Sequence, residues 1–129
     1  MTVLQPFFVA ALVGLAGALG ALARYALAWW VAQRTRAIFP WSTLFINVSG
    51  AFLIGLLFGL TGRKAISTQT QTILATGFLG GYTTFSTMSW EGARLLKGSN
   101  PRQSLLYLAG NFIPGLLAAA LGLVLGGWL

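Results

Sequence analysis

The sequence predicts an all-α membrane protein with four transmembrane helices per subunit, and three observations carry that prediction. Apolar residues fill 57% of the 129 positions and charged residues only 7%, with a mean hydropathy of +0.80. Apolar runs of about 20 residues, long enough to span a hydrocarbon core, recur between short polar turns. The eight Lys and Arg residues sit mostly at the ends of those runs. There they suit lipid headgroups and topology rather than nucleic acid. The length leaves room for one four-helix domain over 1–129 and no soluble domain. Histidine and cysteine are absent, and Glu91 is the sole acidic residue. Imidazole bases, thiol chemistry, disulfides and the usual zinc sites are excluded, so an enzyme is not expected.

The first helix is expected over about 4–33. The run from Leu4 to Ala23 has the required length, and Trp29-Trp30 suit the membrane interface. Ala21-Leu22-Ala23 resembles a cleavage site, but no basic leader precedes the run, so a retained helix is expected. Gly14, Gly17, Ala18 and Ala21 recur at three- and four-residue spacing, which lets helix backbones approach closely. Arg24 has two readings. In a helix that continues to about Val31 it must face protein or water; in one that ends near it, the side chain snorkels.

Thr35 to Pro40 reads as a loop and the second helix as about 41–61. Thr43, Asn47 and Gly50 share one face of it, while Ala51, Gly55 and Gly59 form a ridge for packing. Asn47 is open between an interhelical hydrogen bond, worth about 0.6 kcal/mol in membrane helices, and an amide donor aimed at an anion.

A polar turn over 62–71 leads to a third helix over about 70–96, with a break near 80–84. Gly77 to Ser89 holds three glycines and a dense run of hydroxyls inside an apolar segment. Glycine costs about 1 kcal/mol in a helix interior relative to alanine, so Gly80-Gly81 followed by Thr83-Thr84 marks a break. Bare N–H and C=O groups cannot face lipid, so the break is buried in protein or lines a wet path. Lys97 to Pro101 is a loop, and the last helix covers about 103–128. Pro114 within it is expected to free the Gly110 carbonyl and bend the helix. Tyr107, Asn111 and Gly115 share one face, with Gly110, Ala118, Gly122 and Gly126 on a small-residue face beside it.

Three helices thus carry polar stripes: Thr43 with Asn47, Thr83 to Ser89, and Tyr107 with Asn111. Hydroxyls, amides and aromatic edges with almost no carboxylate suit a small anion better than a cation. Arg24 could concentrate an anion at a mouth. The same groups could instead hold the bundle together by internal hydrogen bonds. Four helices of this size enclose too little volume for a pore within one subunit, so an oligomer is expected.

Gly80-Gly81-Tyr82-Thr83-Thr84-Phe85-Ser86-Thr87 resembles the GG-x-[ST]-TFST signature of the Fluc (CrcB) fluoride channels. The order of Gly-Ala-Leu-Ala-Arg24, Thr43-Leu-Phe-Ile-Asn47 and Glu91 extends the resemblance along essentially the whole chain. It implies an antiparallel, dual-topology homodimer with two fluoride pores between subunits, in a bacterial inner membrane. It also implies a structural Na⁺ at the dimer axis, held by the backbone carbonyls of Gly80 and Thr83. By position, Asn47 would be an amide donor to fluoride and Phe85 the first of a facing phenylalanine pair. Ser86 and Thr87 would add hydroxyls, Tyr107 and then Asn111 would stand on the helix-four track, and Arg24 matches the family's helix-one arginine. Two features depart from the pattern. Met88 replaces the second phenylalanine, and Asn111, Gly115 and Ala119 occupy a track that is often serine and threonine.

Two other classes compete. A small multidrug exporter shares the four-helix dual-topology plan, but it needs a membrane-embedded carboxylate, which the first helix lacks. A non-transporting membrane subunit would show no flux. Arg34, Arg36, Arg94, Lys97 and Arg102 lie in the first and third loops against Arg63 and Lys64 in the second. That bias leans toward one orientation, while an antiparallel dimer requires both.

Overall fold

The computed structural model describes residues 3–98 and 101–127, and all regular structure among them is helical. α1 spans Gln5–Ala32, α2 Trp41–Gly62, α4 Phe85–Lys97 and α5 Pro101–Gly127; α3, over 68–82, is composite. α1, α2 and α5 have 28, 22 and 27 residues and are long and apolar enough to cross a membrane. These limits lie within a residue or two of those expected from the sequence. Ser99 and Asn100 of the expected third loop, and residue 128 at the expected end of the last helix, lie outside the described residues.

Two helix pairs build the chain: α2 against α5, and α1 against α3. Both are closed by glycine, because only a missing side chain lets two backbones touch. A Cβ at Gly55 would overlap the Ala119 carbonyl oxygen, and one at Gly122 the Phe52 carbonyl oxygen. Those residues belong to the ridges expected from spacing. In α1 the tightest approach is at Gly20, where a Cβ would overlap the Phe78 carbonyl oxygen; across the same seam, Gly81 lies against the Gly17 carbonyl. Gly14 has nothing within 4 Å, so the expected α1 stripe is used only toward its C-terminal half. α5 runs unbroken through Pro114.

The interior is small. Met88, Leu95 and the fully buried Tyr107 form its centre, with Phe39 edge-on to Tyr107 at 5.4 Å. Most large apolar side chains of α1 and α5 point outward, as expected of helices solvated by lipid.

α3 starts with an α-turn, Thr68–Gln71, whose N-cap Ser67 accepts from the Thr70 N–H. It then widens into a π-helical stretch over Thr72–Leu79 before a last turn, Gly80–Tyr82. Nothing in the residue pattern announced the π stretch; such stretches are rare and favour functional sites. The chain next extends for two residues, Thr83 (ψ 158°) and Thr84 (φ −148°, ψ 118°), before α4 begins. The interruption therefore falls at the end of the 80–84 window, and the two glycines stay helical. β-branched threonine is at ease in extended backbone, and Gly81 is needed against α1. α4 is capped by the Thr84 hydroxyl, which accepts from the Thr87 N–H at 3.2 Å. Arg94 and Lys97 complement the helix dipole at its C-terminal end.

Candidate functional site

The α2 face that carries Thr43, Asn47 and Gly50 docks along residues 83–91. The Thr43 hydroxyl donates to Glu91 Oε1 at 2.6 Å. The Tyr107 hydroxyl donates to the same oxygen at 3.3 Å. The only carboxylate of the chain is thus held by two hydroxyls between α2, α4 and α5. Gly50 leaves the room occupied by the Thr83 methyl group. The Tyr82 and Ser49 hydroxyls meet beside it at 3.0 Å.

Asn47 makes the decisive contact. Its Oδ1 accepts from the Thr84 N–H at 3.0 Å, and its Nδ2 donates to the Thr84 carbonyl at 3.1 Å. The second Nδ2 hydrogen goes to Asn111 Oδ1 at 3.0 Å, and Asn111 Nδ2 donates to the Tyr107 carbonyl at 2.8 Å. In an uninterrupted α-helix the Thr84 N–H would bond the Gly80 carbonyl, and the Thr87 N–H the Thr83 carbonyl. Here the first is diverted to Asn47 and the second to the Thr84 hydroxyl. Gly80 and Thr83, the pair expected to hold a cation, are therefore among the carbonyls of residues 80–83 that lose their helical partners at the interruption; the Gly81 carbonyl is taken by Arg24. Carbonyl oxygens are suitable ligands for a hard cation, so these residues fit the Na⁺ that the resemblance implies.

Arg24 lies well inside α1, and its Nε donates to the Gly81 carbonyl at 3.1 Å. The reading in which it faces protein is the one the structure adopts. Its guanidinium borders a cavity of about 240 Å³ lined also by Tyr25, Thr43, Thr84 and Thr87. A second cavity of about 240 Å³ lies on the other side of Thr84, lined by Asn47, Thr83, Phe85, Met88, Asn111 and Phe112 among others. Phe85, Met88 and Phe112 also border a third space of about 380 Å³ that reaches Ser89 and Ser104 along the α4–α5 groove. None of the three is bordered by Glu91, which lines a separate space beside Arg94 and the α1–α2 loop.

The expected path residues are therefore distributed unevenly. Asn47, Phe85, Met88 and Asn111 share one cavity, and Thr87 shares the other with Arg24. Ser86 is exposed at the start of α4, 3.4 Å from the Thr84 hydroxyl. Tyr107 lines neither cavity; it is fully buried with its hydroxyl on Glu91. Phe85 is 72% exposed, whereas Met88 is only 5% exposed and packs into the centre. Sequence reasoning missed Thr84, the wall between the cavities, and Glu91 as the acceptor for Thr43 and Tyr107. Glu91 carried a signal, since a lone carboxylate near a membrane must find hydrogen-bond donors.

The chain matches the family model described as "CrcB-like protein, Camphor Resistance (CrcB)" over residues 11–123. It is 51% identical over 116 residues to a protein named fluoride-specific ion channel FluC from one strain of Thermus thermophilus, covering 90% of this chain and 91% of that one. It is 49% identical over 116 residues to the protein of the same name from a second strain of Thermus thermophilus, covering 90% and 93%. To a fluoride-specific ion channel FluC 2 from Bacillus thuringiensis subsp. konkukian it is 42% identical over 118 residues, covering 92% and 97%. An all-helical chain with three membrane-length helices, a polar interruption flanked by cavities, and a match over residues 11–123 belongs to the CrcB family.

Proposed function

We propose that this protein is a fluoride channel that lets the anion leave a bacterial cell passively across the inner membrane. The observation that carries the reading is the chain of cavities on either side of Thr84. They are lined by a guanidinium, hydroxyls, amides and phenyl rings, and no carboxylate borders them. Such donors can replace part of an anion's hydration shell, and the absent carboxylate removes what a cation would seek. Hydrogen fluoride enters cells from acid surroundings and dissociates inside, so a passive pore suffices to relieve the accumulated anion.

α4 has 13 residues and reaches only about 20 Å, short of a core about 30 Å thick. On this reading α3 and α4 together make the fourth crossing. The second cavity opens along a subunit surface that bears the exposed Phe85, so a second surface must close it. A second copy in antiparallel orientation supplies that surface twice and gives two pores. Na⁺ at the junction, held by the Gly80 and Thr83 carbonyls, would fix the two interruptions against each other. Phe85, Ser86, Thr87, Met88 and Asn111 border the ion's path, Arg24 draws the anion toward it, and Tyr107 with Glu91 backs it. A drug exporter is disfavoured because the one carboxylate is tied to Thr43 and Tyr107.

Purified protein in liposomes should release fluoride and retain chloride. Host cells lacking their own exporter should become fluoride-resistant when given this chain. Cation efflux would point to the exporter, absence of any flux to a structural subunit, and obligatory proton coupling would end the channel reading.

The cation site has its own test. Within the subunit a Cβ at Gly80 would meet nothing nearer than the Ala75 carbonyl at 3.8 Å. Gly80→Val should therefore leave the subunit fold intact yet disrupt assembly and Na⁺ binding. Thr83→Ala keeps the carbonyl and should be tolerated in both. Light scattering and Na⁺-dependent melting check the pair, and the opposite ranking would remove the carbonyl-ligand idea.

A further inference from the structure

We infer that Asn47 is a positioning residue: it holds the helix open at Thr84 and thereby helps free the carbonyls of the interruption. Both hydrogens of its amide are already engaged, one by the Thr84 carbonyl and one by Asn111. A fluoride ion could use them only by breaking one of those bonds. The geometry has a chemical reason. A primary amide presents an acceptor and a donor side by side, as a peptide group does. Asn47 therefore pairs with Thr84 as a neighbouring strand would, and Thr84 has the extended backbone that such pairing requires. Aspartate lacks the donor and serine the reach to satisfy both atoms.

The consequence reaches beyond Thr84. By taking the Thr84 N–H, Asn47 removes the only α-helical donor available to the Gly80 carbonyl. With Thr84 extended, its hydroxyl is in turn placed to take the Thr87 N–H away from the Thr83 carbonyl. One side chain, 37 residues away in sequence, is thus tied to the release of the Gly80 and Thr83 carbonyls, two of those freed at the interruption. Gly50, on the same α2 face, lets the interruption sit flush by leaving room for the Thr83 methyl group. Asn111 orients the amide from the far side but touches neither Thr83 nor Thr84 by hydrogen bond. The step from carbonyls to Na⁺ rests on the cation reading proposed above; the role of Asn47 at Thr84 does not.

The test uses the full chain, purified and reconstituted, with three variants and two readouts. Amide hydrogen exchange at Thr84 reports the bond to Asn47, and the Na⁺ concentration that half-stabilises the assembly against heating reports the carbonyl pair. Asn47→Ala should raise Thr84 exchange at least about 100-fold and the Na⁺ half-point at least about tenfold. Asn47→Asp keeps an acceptor for the Thr84 N–H, so its Thr84 exchange should stay within about threefold of the unaltered protein. Should the alanine variant fail to fold, the aspartate variant still decides, since exchange as fast as in unstructured peptide would overturn the proposal. Asn111→Leu should lower the melting temperature and leave the Na⁺ half-point unchanged, which a purely structural role for Asn47 would not separate. An Asn47→Ala protein with unchanged Thr84 exchange overturns the inference. If the unaltered protein shows no Na⁺ dependence while Thr84 exchange responds as expected, the cation reading falls and Asn47 keeps its role at the break.

Discussion

Replacing Phe85 by isoleucine is expected to cut fluoride efflux from liposomes at least about 100-fold, or about 2.7 kcal/mol of barrier. Met88→Ile should cost less than about tenfold. The two residues stand three apart at the start of α4 and border the same two cavities, yet the structure treats them differently. Phe85 is largely exposed, and on the proposed reading it faces the ion's path. Its ring edge offers weakly positive C–H groups to an anion. Met88 is buried beside Tyr107 and Leu95, and its flexible thioether fills space while offering an anion little. The cost of Met88→Ile should therefore appear mainly as lost stability, within about 1.5 kcal/mol for a volume-conserving swap. Met88→Phe should keep or raise flux if the centre accommodates the ring. Efflux with Met88→Ile dead and Phe85→Ile unaffected would overturn this assignment.

The other large effect is structural. Gly20→Val and Gly122→Val should each destabilise the fold by about 3 kcal/mol or more, since overpacking typically costs about 1–3 kcal/mol and here backbone must move. At both positions the added carbon would overlap a carbonyl oxygen of the facing helix, and a backbone carbonyl cannot rotate aside as a side chain can. The α1–α3 pair carries the interruption, so Gly20→Val should abolish flux together with stability. Gly14→Ala is the control. With nothing within 4 Å of it, alanine should be neutral or stabilising by up to about 1 kcal/mol through helix propensity. Melting temperature and elution volume in detergent distinguish these outcomes, and a well-folded Gly20→Val protein would refute the close α1–α3 contact.

Much of this protein was legible in its sequence because lipid constrains it so tightly. Membrane-length apolar runs can hardly be anything but helices, since unpaired peptide groups cannot survive in hydrocarbon. Gly55 and Gly122 announced a close helix contact through spacing alone, because small residues recurring every three or four positions fall on one helix face. The polar stretch near Thr83 was equally visible, but its glycines, read as helix breakers, stay helical, and the extended residues are the two threonines after them. What the sequence could not decide was which groups answer each other across the bundle. Asn47 reads equally as anion donor or glue, and only the packed bundle brings Thr84 opposite it. Tyr107 shares a face with Asn111 by spacing, but only the packed bundle shows its hydroxyl on Glu91. Met88 and Phe85 look like neighbours on one face until burial separates them. Periodicity is local and fixes the face a side chain occupies. Its partner depends on how helices dozens of residues apart come together, and that is a property of the packed bundle alone.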